Sequence, residues 1–269
     1  MIIIDNKSCI GCGKCQRDCF PGAITMENGT PELTYPERCL GCGHCIAVCP
    51  KRAICDNELN MEESIPVSKD RVPDTLLRSM MSRRSCRHYR SEPVSDMELN
   101  VLLEAARFCP TAKNLQGTRY IAVRENISPL LDAALEGLGL VGESQLKTAT
   151  DPGEIRRARN FISWAELRKE NSNFDPLFFH APLLLLFVSD GDPRDAAAAA
   201  AYTELMAWHL GLGCLYSGYF TACAAASPKI KDMLALKDSE TVVRCLVLGH
   251  PDIRFLRTAP RRVPDITYL

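Results

Sequence analysis

From Pro73 onward the apolar and polar positions follow recognisable periods. "PDTLLRSMMSRR" has helical spacing, and "SDMELNVLLEAARF" opens with Ser95 and Glu98 as a capping box before an apolar helical face. "DPGEIRRARNFISWAELRKE" and "DPRDAAAAAAYTELMAWHLGLG" each begin with Asp followed by Pro, the signature of a helix start. "SPKIKDMLAL" predicts another capped helix. "TRYIAVRE" reads as a strand, and the apolar runs "PLLLLFVSD" and "TVVRCLVLGH" read as buried strands. Helices and strands intermix, which predicts an α+β or α/β domain.

One pattern inside this region is misleading. "GLGLVG", Gly137 to Gly142, satisfies the dinucleotide motif G-x-G-x-x-G. That motif should follow a strand and open a helix, whereas this one follows the helical "SPLLDAALE" and runs into polar residues. It is read as a helix end with loop glycines, and no Rossmann site is inferred. Before this domain, Asp56 to Pro73 mixes charges with two prolines and shows no sustained period, so residues 58–72 read as a linker.

Composition narrows the class without deciding it. The 269 residues are 46% apolar with a formal net charge of -1, which suggests neither a nucleic-acid nor a membrane partner. The longest apolar run, Ala181 to Val188 with Pro182 inside it, is too short to span a bilayer. "MIIIDNKSC" has no basic segment or long apolar core, so no signal peptide is read and a cytoplasmic location is expected.

The cysteines change the picture. Of the 14, eight lie in two runs, "CIGCGKCQRDCF" from Cys9 and "CLGCGHCIAVCP" from Cys39. Each run reads C-x2-C-x2-C-x3-C, and the match continues through Gly11 with Gly41, Gly13 with Gly43, and Ala23-Ile24 with Ala53-Ile54. This is an internal duplication. Three thiolates on one tight loop suit a four-iron cube, with the fourth cysteine of each run crossing to the other cluster. Cys9, Cys12, Cys15 and Cys49 therefore form one ligand set; Cys39, Cys42, Cys45 and Cys19 form the second. The alternatives are two zinc sites or buried thiols. Zinc usually takes thiols as separated pairs, and chance burial does not repeat a spacing. One irregularity is that proline follows Cys49 directly but stands one place later after Cys19. Residues 1–57 resemble the bacterial-type two-cluster ferredoxins, which pass single electrons and perform no chemistry on an organic substrate.

Four stretches of residues 73–269 together carry a second resemblance. They are "RRSCRHYR" (Arg83 to Arg90), "CPTAKNLQG" (Cys109 to Gly117), "GLGCLYSGYF" (Gly211 to Phe220), and "LGHP" followed by "APRR" up to Arg262. In this order and spacing they resemble the nitroreductase family of FMN enzymes, and the whole chain resembles a ferredoxin-fused nitroreductase-like protein. The resemblance implies an α+β homodimer with flavins at the interface. It implies FMN-phosphate contacts from Arg83, Ser85 and Arg87, with Arg84 lending backbone, and from the basic pair Arg261 and Arg262. It further implies that Pro110, Thr111, Ala112, Asn114 and Gln116 of the neighbouring subunit lie along the flavin. Threonine stands there in place of the commoner serine, and Gly117 where proline is usual. Leu215, Tyr216, Ser217 and Gly218 match the backbone beside the reactive nitrogen of the ring. The tail "RRVPDITYL" has the extended look of an arm crossing to the partner.

The function expected from this is an FMN-dependent oxidoreductase. Two 4Fe-4S clusters, charged by a ferredoxin-like or other donor, feed the flavin, which reduces a small organic acceptor such as a nitro compound, quinone or enone. The alternative is a non-enzymatic relay to a protein partner. No side chain stands out as a catalytic acid or base, as fits a cofactor that carries the chemistry. The five histidines form no metal pattern, and the remaining cysteines, Cys109 and Cys214 among them, are expected to be buried and reduced. The stretch from about Val141 to Asp175 is the expected lid, with Trp164 and no readable substrate code.

Overall fold

Helix starts carry the caps that their sequences predict. The Ser95 hydroxyl accepts from the Glu98 N–H while the Glu98 carboxylate accepts from the Ser95 N–H, closing the capping box. Asp151 accepts from the Glu154 N–H and Asp192 from the Arg194 N–H, each with proline next in sequence. Ser227 accepts from the Ile230 N–H. The structure, a computed structural model, describes residues 1–58, 60–64, 73–256, 258 and 262–269. Most of the expected linker and Arg261 lie outside the described residues. The chain divides into two units: Met1–Arg71 with Thr111–Leu115, and Val72–Pro110 with Gln116–Leu269.

The first unit is small. Its elements are β1 (Ile2–Ile4), α1 (Lys14–Arg17), β2 (Thr25–Glu27), β3 (Thr30–Glu32), α2 (His44–Val48) and β4 (Ile54–Asp56). β1 pairs antiparallel with β4, so the two ends of the duplication meet. β2 and β3 form a hairpin turned at Asn28 (φ 52°) and Gly29 (φ 81°), the Asn-Gly pair that a tight two-residue turn requires. The core is a handful of side chains: Ile2, Cys15, Ile24, Cys45 and Ile54. So little buried apolar surface implies that stability comes partly from whatever the thiols hold.

The second unit contains α3 (Pro73–Ser82), α4 (Asp96–Arg107), β5 (Arg119–Val123), α5 (Ile127–Leu146), α6 (Pro152–Glu170), β6 (Leu183–Ser189), α7 (Pro193–His209), β7 (Gly213–Tyr216), α8 (Gly218–Ala226), α9 (Pro228–Met233) and β8 (Thr241–Gly249). Its sheet is antiparallel throughout, in the order β5-β6-β8-β7. Along β6, Leu184, Leu186 and Val188 join the core under α5, α6, α8 and α9, while Leu183, Leu185 and Phe187 join the core under α4 and α7. Helices thus cover both faces, which is why the apolar run of β6 is continuous rather than alternating. On α7 the alanines at 196, 199, 200 and 207 face the sheet, small enough to bring helix and sheet close. The α+β fold is as expected.

The glycine-rich motif is a correction. Gly137 to Gly142 do not end a helix; they lie inside α5. A Cβ on Gly142 would sit 2.5 Å from the Ala158 carbonyl oxygen, and one on Gly139 would sit 2.9 Å from the Ala165 Cβ. The glycines let α6 press against α5, a tertiary demand that outweighs glycine's poor helix propensity. The expected lid is accordingly helical over most of its length, in the end of α5 and in α6. Among the described residues no helix is long and apolar enough to cross a membrane.

Candidate functional site

The eight thiols of the two runs lie in two groups. Cys9, Cys12, Cys15 and Cys49 line one small cavity, with Gly13, Pro31 and Ile54. Burial raises the pKa of Cys15, with Cys9 and Cys12 adding to the effect. In the second set burial pushes the Cys45 thiol up to about 11, and Cys42, Cys39 and Cys19 lie close enough to raise it further. Among the described residues no three His, Cys, Asp or Glu side chains meet closely enough to share one metal ion. Four thiols ringing a void fit a polynuclear cluster better than a single zinc, whose ligands must converge at about 2.3 Å from one point.

In the second unit a cavity of about 720 Å3 opens where β7 runs into α8. Leu215, Tyr216, Ser217, Gly218 and Tyr219 form one wall; Trp164, Pro176, Leu177, Phe179 and Arg87 complete it. The turn is held from behind. The Ser217 N–H donates to the Cys245 carbonyl at 2.9 Å, and its hydroxyl donates to the Leu177 carbonyl at 3.4 Å. The Arg87 guanidinium lies 5.9 Å from the centre of the Phe179 ring. A mostly apolar hollow with one guanidinium and a backbone turn at a helix start suits a planar, electron-accepting ring.

The arginine stretch is extended backbone. The Cys86 N–H donates to the Cys214 carbonyl at 2.9 Å, the Arg90 N–H to the His250 carbonyl at 2.8 Å, and the half-buried Tyr89 hydroxyl to the Cys86 carbonyl at 2.9 Å. Alternation in an extended chain sends neighbours to opposite sides. Arg87 therefore reaches the large cavity, while Arg84 and Cys86 line a different one of about 340 Å3 with Trp208, Ile253 and Phe255. Gly213 is required where this stretch crosses β7, since a Cβ there would sit 2.7 Å from the Cys86 sulfur.

Of the residues singled out from the sequence, Arg87 and Leu215 to Gly218 line one cavity together. Arg83 is not among its lining residues. Its Nη1 donates to Glu204 Oε1 at 2.7 Å, and Glu204 also bonds the Tyr216 side chain. Burial raises the Glu204 pKa against the lowering effect of Arg83. Ser85 forms a bridge with Cys214. Arg262 lies in an exposed tail without helix or strand. Pro110 belongs to the second unit and Thr111, Ala112 and Asn114 to the first, with Gln116 again in the second. Cys109 and Cys214 are buried, with pKa values raised by that burial. Sequence reasoning missed Phe179, Tyr219, Leu177 and Glu204. Only Glu204 left a signal, as the one acidic residue in the alanine-rich face-forming part of α7 after Asp195.

Residues 80–250, well over half of the chain, match the model of the family described as "Nitroreductase family". The chain belongs to the nitroreductase family. It is an oxidoreductase of the flavin-dependent, nitroreductase-like kind. Residues 8–53 match the model described as "4Fe-4S dicluster domain", so this family member carries a ferredoxin-type module in front. Among solved structures, a nitroreductase with bound FMN from Desulfitobacterium hafniense DCB-2 is 25% identical, with a TM-score of 0.51 over 72% of this chain and 97% of its own. A nitroreductase with bound FMN from Bacteroides fragilis NCTC 9343 is 20% identical, with a TM-score of 0.53 over 72% and 98%. A BluB-like flavoprotein from Clostridium difficile 630 is 17% identical, with a TM-score of 0.55 over 70% and 94%. The last two speak for the fold alone. A comparison with curated proteins finds no match.

Proposed function

We propose that this nitroreductase-family chain binds FMN in the large cavity of its second unit, holds two 4Fe-4S clusters in its ferredoxin-type module, and reduces a small organic acceptor with electrons delivered through those clusters. The observation that carries the reading is the hollow where Arg87 faces the Leu215–Gly218 turn in a fold shared with FMN-bound nitroreductases. The module is taken as residues 1–57 and the catalytic domain as 73–269.

When bound, FMN accepts electrons singly and delivers them in pairs, which adapts one-electron clusters to a two-electron acceptor. The chain supplies the rest. Leu177, Phe179 and Leu215 give the ring an apolar wall and exclude water from one face. Arg87, which lines the cavity, would place a positive charge beside a bound ring and favour its anionic reduced form. The start of α8, Gly218 and Tyr219, lines the same cavity and would bring the partial positive charge of a helix N-terminus to it. The phosphate would fall to Ser85 and the basic pair Arg261 and Arg262, with Arg83 joining them only by exchanging its Glu204 partner for it. Pro110, Thr111, Ala112, Asn114 and Gln116 contribute from the second subunit of a homodimer. Either a ferredoxin-like protein or another one-electron donor charges the module.

Anaerobic purification followed by an iron, sulfide and flavin inventory tests this directly. About eight irons, about eight sulfides and one FMN per chain are expected. Electrons that enter at the clusters should then pass on to reduce the flavin, and added nitroaromatics, quinones or enones should reoxidise both. A protein with clusters but no flavin, or with a flavin that stays oxidised while the clusters cycle, overturns the reading.

A further inference from the structure

The two cysteine runs are near copies, yet their loops are braced differently. In the first, Gly11 backs onto the β2–β3 hairpin: a Cβ there would lie 2.6 Å from the Gly29 carbonyl oxygen. In the second, nothing among the described residues lies within 4 Å of the same point on Gly41. Instead the Gly41 carbonyl accepts a hydrogen bond from Asn114 Nδ2 at 3.1 Å, across 73 residues of sequence. Asn114 belongs to Thr111–Leu115, the short piece of later chain that forms part of the first unit. Its backbone is unusual. Lys113, Asn114 and Gln116 all have positive φ, at 51°, 55° and 50°. Non-glycine residues rarely adopt this conformation, and it persists where surrounding contacts impose it.

We propose that Asn114 is a positioning residue for the second cluster's loop, doing from the C-terminal part of the chain what the hairpin does for the first. The physical link is one peptide plane. The Gly41 carbonyl and the Cys42 N–H belong to the same planar, trans unit and point in opposite directions. Holding the carbonyl outward turns the Cys42 N–H inward, where N–H groups steady a cluster's sulfur and set its stability. Gly41 itself sits at φ 58°, in the left-handed region that favours glycine. Asparagine suits the task because it tolerates left-handed backbone and offers an amide donor. The inference rests on the two-cluster reading above but concerns only which residue shapes one of the sites.

The test uses the full-length, cluster-loaded protein and two variants. Asn114→Gly keeps the left-handed backbone and removes the donor. Asn114→Asp keeps the shape and turns a carboxylate toward the carbonyl. Iron loss to a chelator and the electron paramagnetic resonance spectra of the reduced clusters are followed for each. One cluster is expected to release iron about three- to fivefold faster in Asn114→Gly, and faster still in Asn114→Asp, with its spectrum changed and the other cluster's unchanged. The effect should persist when Cys12→Ala removes the first cluster and vanish when Cys42→Ala removes the second. Release at the wild-type rate, or equal acceleration of both clusters, overturns the role of Asn114. Wild-type protein without iron and sulfide instead overturns the cluster reading beneath it.

Discussion

Arg87 and Arg83 stand four residues apart in one stretch and do different things. Arg87 faces the large cavity, whereas Arg83 is tied to Glu204. Replacing Arg87 by alanine should weaken FMN binding by about ten- to a hundredfold, the range for losing a charge-assisted contact, as read by flavin fluorescence on the apoprotein. Glu204 has a different signature. Its carboxyl is largely buried, and its pKa is raised because burial outweighs the attraction of Arg83. A raised carboxyl pKa favours folding while the group is protonated. That contribution is complete below the ordinary carboxylate value of 4.5 and is lost as pH rises through the raised value. Melting temperature should therefore fall with rising pH in wild type relative to Glu204→Gln, which has no such proton to lose. Parallel curves for the two proteins would remove Glu204 from the account. Sequence alone showed the arginines as a cluster of like residues. Their division of labour comes from partners far away in sequence: Glu204 takes Arg83, while Cys214 and His250 pin the extended segment that carries Arg87.

At the scale of elements, local signals were the readable ones. Caps at Ser95, Asp151, Asp192 and Ser227 involve residues two or three apart, so the sequence displays them whole. The misreading of Gly137 to Gly142 has the opposite cause. Glycine inside a helix looks like a breaker until the helix that needs the space is known, and α6 supplies that need. Gly142→Ala should therefore destabilise the protein by about 1–2 kcal/mol, overpacking outweighing the gain in helix propensity. A lowered thermal midpoint would agree; a raised one would mean that α5 and α6 can separate without loss. β7 was also missed as a strand. Its four residues pair with β8 from Gly213↔Gly249 to Tyr216↔Leu246, and only that pairing marks them as extended.

For the molecule as a whole, membership of the nitroreductase family with a dicluster module in front settles the class of chemistry. The oligomer is a matter for measurement: light scattering should give twice the chain mass of 29.8 kDa, the homodimer that completes the proposed flavin site, and a monomer that binds FMN tightly would contradict it. What the amino-acid order determined by itself was the repeated thiol spacing, the α+β alternation and the order of the flavin motifs. These are patterns over short distances or in plain succession, where composition and period carry the information. Only the tertiary structure decided which arginine meets the cavity, why six residues with three glycines make a helix interior, and that Thr111–Leu115 joins the cysteine module. Each of those outcomes depends on a contact between segments tens of residues apart, and no local preference of the chain specifies its partner.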